Sequence, residues 1–187
     1  MNNYKTVTES QTTMTELMIP AYSNFGGKIH GGIILSLMDK AAYACAAKHA
    51  ETYCVTASID TVDFRASVEV GEIISLKASV NYVGNSSLVV GIKVLAENIK
   101  SHQVKHTNSS YFTMVALDEQ LHTPVQVPGL ILENETQVQR FITAMHRKEL
   151  NRYYKQEGER LKTVFKNQDF MEVLKKERCI IKNPITQ

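Results

Sequence analysis

Tryptophan is absent from the 187 residues, and cysteine and proline are scarce, at three and four. Cys45, Cys54 and Cys179 are odd in number and widely spaced, which argues against a disulfide framework and for a reducing compartment. Long apolar runs are also missing: no stretch approaches the roughly 18 residues that a membrane-spanning helix requires. The opening MNNYKTVTESQTT has no apolar core of the kind a signal peptide carries. These absences set the expectation of a cytoplasmic protein with no membrane partner. Charge of one sign is lacking as well. A net charge of +2 provides no bulk field for nucleic acid, although basic residues outnumber acidic ones between Arg140 and Arg178.

What is present fits a globular protein: 43% hydrophobic and 21% charged residues. The length suffices for one domain with a core and an appendage. Residues 1–12 read as a flexible tail. A short strand is expected at Thr15–Ile19, stopped by Pro20, and residues 21–32 form a glycine-rich loop. From Gly31 to Lys48 the sequence turns helical, with Ile34, Leu37, Met38, Ala41 and Cys45 at helical spacing. Ile33, Leu35, Ala42 and Tyr43 make the other sides apolar too, the pattern of a buried helix.

The period then changes to two. Strands are expected at 54–65, at 73–83 (Ile74, Leu76, Ala78, Val80 and Tyr82 on one face), at 88–98 and at 108–118. Gly84-Asn85-Ser86-Ser87 is turn chemistry between two of them. One helix followed by consecutive strands predicts an α+β fold, with the helix packed on an antiparallel sheet. Residues 119–134 read as a linker. Residues 135–157 and 159–176 read as helices, the second through Leu161, Val164, Phe165, Phe170, Val173 and Leu174, with an interruption at Gly158.

Asp39 is the first chemical candidate. It stands in the apolar helix among Leu35, Ser36, Ala42 and Tyr43, and burial turns a carboxylate into a stronger base. An ordinary surface charge beside Lys40 is the competing reading. Gly31 and Gly32 open the same helix, whose first N–H groups lack internal partners, and glycine lets a carbonyl approach them as an oxyanion site would. A plain turn is the alternative there. Gly-Lys-Ser/Thr and Gly-x-Ser-x-Gly are both missing, which excludes a phosphate loop of that type and a lipase elbow. Cys45 and His49, four apart, form a weak nucleophile–base candidate. His102 and His106 have no third ligand nearby, so no metal site is expected.

The segment Tyr22-Ser23-Asn24-Phe25-Gly26-Gly27-Lys28-Ile29-His30-Gly31-Gly32, followed by Leu37-Met38-Asp39, resembles the signature of hotdog-fold acyl-CoA thioesterases. Val55-Thr56 with Asp60 and Phe64, Val83-Gly84 with Ser86-Ser87, and Tyr111 to Asp118 agree in order and spacing. The resemblance covers residues 13–128, leaving 129–187 as a helical extension. It implies a hotdog fold and hydrolysis of acyl-CoA to a free acid and CoA. Asp39 would be general base or nucleophile, Asn24 would position water or thioester, Gly31 or Gly32 would donate to the thioester oxygen, and Thr56 would bond near the carboxylate. It implies no cofactor, CoA being part of the substrate. CoA contacts would fall to His30, Arg65, Gly84, Asn85, Ser86, Ser87 and Lys93. It also implies a homo-oligomer, at least a dimer and often a trimer of dimers, with the site between subunits. A non-catalytic acyl-CoA-binding regulator on the same fold is the second function.

Overall fold

The computed structural model describes residues 4–164, 174–180 and 182. The chain divides into two compact units, Met1–Met145 and His146–Gln187. In the first unit, strand β1 (Tyr4–Thr6) leads into the one-turn helix α1 (Val7–Ser10), followed by β2 (Thr12–Leu17) and a 3-10 turn at Pro20–Tyr22. The long helix α2 (Gly31–Ala50) comes next, then β3 (Tyr53–Ile59), β4 (Glu72–Val83), β5 (Ser87–Asn98), β6 (Val104–Leu117) and β7 (Gly129–Ile131). Helix α3 (Glu135–Val164) starts in the first unit and ends in the second.

Five strands form one antiparallel sheet in the order β2-β4-β5-β6-β3, wrapped against α2. The expected α+β hotdog architecture is therefore the one observed. Leu88, Val90, Ile92, Val94 and Ala96 of β5 are all buried beneath the helix, beside Ile74, Leu76, Ala78 and Val80 of β4. A one-residue slip of β5 would turn these side chains to the other face, at about 1.5–3 kcal/mol for each large residue exposed. The alanines of the second half of α2 favour the helix and let it lie close to the sheet. Ala41, Ala42 and Ala46 are fully buried.

Several expectations are corrected. The supposed tail carries β1 and α1, where Val7 and Ser10 are buried. Thr6 and Glu9 make a reciprocal capping box that holds α1. The linker contains β7, which pairs in parallel with β1. β3 ends at Ile59, while β6 begins at Val104, earlier than the polar residues 99–107 suggest. Tyr82 leaves the inner face because the register shifts between Val80 and Tyr82. It packs against Phe141 of α3 instead, the two rings tilted at 45° with centroids 5.0 Å apart. Gly158 does not interrupt α3. Of the second expected helix, 165–173 lie outside the described residues.

In the second unit, α3 exposes Leu150, Tyr153, Tyr154 and Leu161. Its last turns carry the ion pairs Glu157–Arg160 and Glu159–Lys162. Among the described residues no helix is long and apolar enough to cross a membrane.

Candidate active site

The sheet covers only one side of α2. Ile34, Leu37, Met38, Ala41 and Cys45 face it, whereas Ser36, Lys40 and Tyr43 are exposed. Asp39 stands at the boundary and is half-buried, which corrects the expectation of a carboxylate enclosed by its own chain. Its neighbour Met38 is fully buried and accepts a hydrogen bond at Sδ from Asn108 Nδ2 at 3.0 Å, which ties this turn of the helix to the sheet.

Across from Asp39, the edge strand β3 carries a bulge between Thr56 and Ser58. Bulges re-aim side chains, and they recur beside functional sites. The Thr56 hydroxyl donates to Asp39 Oδ1 at 2.6 Å and lies 3.4 Å from Met114 Sδ. A short hydrogen bond to a carboxylate fixes that carboxylate's rotamer and leaves its second oxygen available.

The start of α2 distinguishes the two glycines, either of which was expected as the donor. His30 is the N-cap, and its Nδ1 accepts from Gly32 N at 3.1 Å. Gly32 is thus occupied by its own chain. Gly31 N–H has no acceptor among the described residues. The Phe64 ring lies over Gly31, so that a Cβ there would stand 3.3 Å from Phe64 Cζ. Neither relation was read from the sequence. The signal available for the cap was a histidine directly before a glycine-opened helix.

Asn24 turns inward on its own loop. Its Oδ1 accepts from Gly26 N at 2.9 Å and Lys28 N at 3.2 Å. Among the described residues no hydrogen bond joins it to Asp39 within the chain. The turn Gly84-Asn85-Ser86-Ser87 is held by its backbone: Gly84 N donates to Ser87 O, Ala116 N to Ser86 O and Val127 N to Asn85 O. Arg65 is exposed, with its backbone N–H bonded to Thr107 O at 2.8 Å. Lys93 projects from the sheet face opposite α2, since Ile92 and Val94 on either side of it are buried under the helix. Within one chain the structure therefore joins Asp39 to Thr56 and leaves Asn24 and the expected CoA contacts elsewhere on the surface.

The Cys45–His49 pair is not a nucleophile. Both are fully buried, and desolvation pushes the Cys45 thiol up to about 12. His49 Nε2 lies 2.9 Å from Pro128 O. Among the described residues no three histidine, cysteine or acidic side chains are grouped to hold a metal ion.

Residues 26–101 match the family model described as Thioesterase superfamily. The protein VdlD of Helicobacter pylori is 41% identical over 145 residues, which cover 78% of this chain and 82% of that protein. The chain belongs to the thioesterase superfamily. Two solved structures extend the likeness. A hexameric acyl-CoA thioesterase is 36% identical with a TM-score of 0.78, covering 81% of this chain and 97% of the other. An acyl-CoA hydrolase from Staphylococcus aureus, solved with butyryl coenzyme A and coenzyme A, is 29% identical with a TM-score of 0.78, covering 88% and 99%. Further structures of that S. aureus thioesterase carry an Asn, an Asp or a Thr replaced by Ala, and these three positions are 15 and 17 residues apart.

Proposed function

We propose that this thioesterase hydrolyses acyl-CoA to a free carboxylic acid and CoA, with Asp39 as general base. The observation that carries this reading is the Thr56–Asp39 hydrogen bond at 2.6 Å, which holds a half-buried carboxylate at an open face of α2. Asn24, Asp39 and Thr56 have the same separations, 15 and 17, as the residues replaced in the S. aureus hydrolase. That agreement supports giving all three a part in the reaction.

In the reaction, Asp39 takes a proton from water, and the hydroxide attacks the thioester carbon. Negative charge develops on the carbonyl oxygen, where the Gly31 N–H is a suitable donor. The intermediate collapses by breaking the C–S bond, and the CoA thiolate takes the proton held by Asp39. Thr56 keeps the carboxylate oriented throughout, and Asn24 positions the water or the thioester.

The geometry of one helix supports a site shared between subunits. Gly31 and Asp39 are eight residues apart on α2, about 12 Å along its axis and about 80° around it. A water molecule must come to roughly 3–3.5 Å from the carbonyl carbon, with the donor about 3 Å from its oxygen. The start of α2 from one subunit and Asp39 with Thr56 from another meet that need better than one chain does. Phe25, wholly exposed in the single chain, and the exposed Tyr43, Ile59 and Phe64 provide apolar surface for such an assembly. The hexameric thioesterase among the solved structures has a similar chain.

A thiol-release assay over acyl-CoA of increasing chain length tests the reading. Release well above the uncatalysed rate for at least one length is expected. Absence of release across the whole series, from a correctly assembled protein, overturns it.

A further inference from the structure

We propose that the concavity on the sheet face opposite α2 binds a phosphate-bearing small molecule through Lys77, Lys93 and Arg140. The cavity has a volume of about 510 Å³, within the usual range for small-molecule pockets, and none of its lining residues is a carboxylate. Its floor is a single cross-strand row. Thr13 pairs with Lys77, Lys77 with Lys93, and Lys93 with Ser109.

The central pair of that row is unusual. Directly opposed side chains on neighbouring antiparallel strands have Cβ atoms about 4.5–5.5 Å apart, and like charges placed so destabilise the sheet. Neither lysine has an ion-pair partner among the described residues. Arg140 of α3, still within the first unit, adds a third positive group at the rim. Its helical neighbours Thr136, Gln137, Thr143 and Ala144 offer no carboxylate either. An anion seated between the lysines relieves their repulsion, and the guanidinium fork matches phosphate oxygens.

The next row bounds the floor on one side. Ser79 pairs with Gly91, and Gly91 with Tyr111. Gly91 has no side chain of its own, and the Asn81 side chain takes up the space above it, with the Tyr111 ring beside it. The pocket is thus bounded by packed groups, not merely surrounded by loose surface lysines. It lies across the sheet from the Thr56–Asp39 pair and does not depend on the hydrolysis reading.

Inorganic pyrophosphate is the probe. Titration calorimetry on the full chain should show binding that weakens with rising salt. Lys77→Gln/Lys93→Gln should weaken it at least tenfold, Arg140→Gln less, and Asp39→Ala should leave it unchanged. Competition then identifies the source of the phosphate. Displacement by CoA assigns the site to the phosphates of a coenzyme A nucleotide. Displacement by ADP but not by CoA assigns it to a separate ligand. No binding to the folded wild type, or equal binding by the double variant, overturns the proposal. A circular-dichroism melt matching wild type shows that a loss of binding is not a loss of fold.

Discussion

Thr56 on the edge strand β3 donates its hydroxyl to Asp39 on α2 at 2.6 Å, across 17 residues of sequence. The bond ties the proposed chemistry to the packing of helix on sheet, because neither group is placed by its own element alone. Asp39→Ala removes the proposed base, and kcat for thiol release is expected to fall by about 10²–10⁴-fold. Thr56→Ala removes one hydrogen bond to a charged group, about 1.5–3 kcal/mol, so kcat/KM should fall roughly 10- to 100-fold. Thr56→Ser should retain most activity. An Asp39→Ala protein with unchanged kcat would exclude Asp39 as the base.

The proposed sharing of the site between subunits is tested by a mixing experiment. Asn24→Ala and Asp39→Ala are each expected to be nearly inactive. If one subunit supplies Asn24 and the other Asp39, dissociating and reassembling an equal mixture restores roughly a quarter of the wild-type sites. No recovery, with hybrid oligomers demonstrated by mass spectrometry, places both residues in one chain's site.

Gly91 is required by contact. A Cβ at this position would collide with the Asn81 side chain and crowd Tyr111. Gly91→Ala should therefore lower stability by about 1–3 kcal/mol, the range for overpacking. Asn81→Ala in the same chain should recover much of that loss. Thermal melts of the two single variants and the double variant supply the comparison, and additive losses would mean that the residues do not clash.

His49 predicts an acid-side loss of stability. It is fully buried, and desolvation lowers its pKa from the ordinary 6.5. The hydrogen bond to Pro128 O opposes this shift less strongly. Its Nδ1 is buried with no hydrogen-bond partner among the described residues, so a proton added there finds no acceptor. Above pH 6.5 both folded and unfolded states hold the neutral ring, and His49 contributes no pH dependence. Below 6.5 the unfolded chain takes a proton that the folded chain refuses, and stability falls by at most about 1.4 kcal/mol per pH unit until the lowered folded pKa is passed. Urea titrations between pH 5 and 8 should show this slope, and His49→Gln should flatten it. An equal slope in the variant would assign the effect to other groups.

The alternation of apolar residues in β4 and β5 was legible because one face of each strand is buried by α2, and burial leaves a period of two in the sequence. The same logic failed at Tyr82. A bulge changes the face of every residue beyond it, and no local signal announces the extra residue. The short strands β1 and β7 were invisible for a related reason, whereas the Thr6–Glu9 capping box of α1 was a local signal that went unread. β1 and β7 are stabilised by each other across more than a hundred residues, not by any pattern of their own. Asp39 could be singled out because a carboxylate among apolar helix residues is conspicuous. That Gly32 is capped by His30, leaving Gly31 as the available donor, required the loop's actual path.

By itself, the sequence determined the α+β class, the long helix, the two central strands and the family, through periodicity and motifs that act over short distances. Asp39 stood out as a carboxylate in an apolar helix, and the family resemblance proposed parts for Asn24 and Thr56 beside it. Only the tertiary structure decided that Thr56 reaches Asp39, that Asn24 is held in its own turn, and that Lys77 and Lys93 face each other on the far side of the sheet. Those relations depend on strand register and on which side of α2 the sheet covers. Both are outcomes of packing between residues far apart in the chain, and no local stretch of sequence records them.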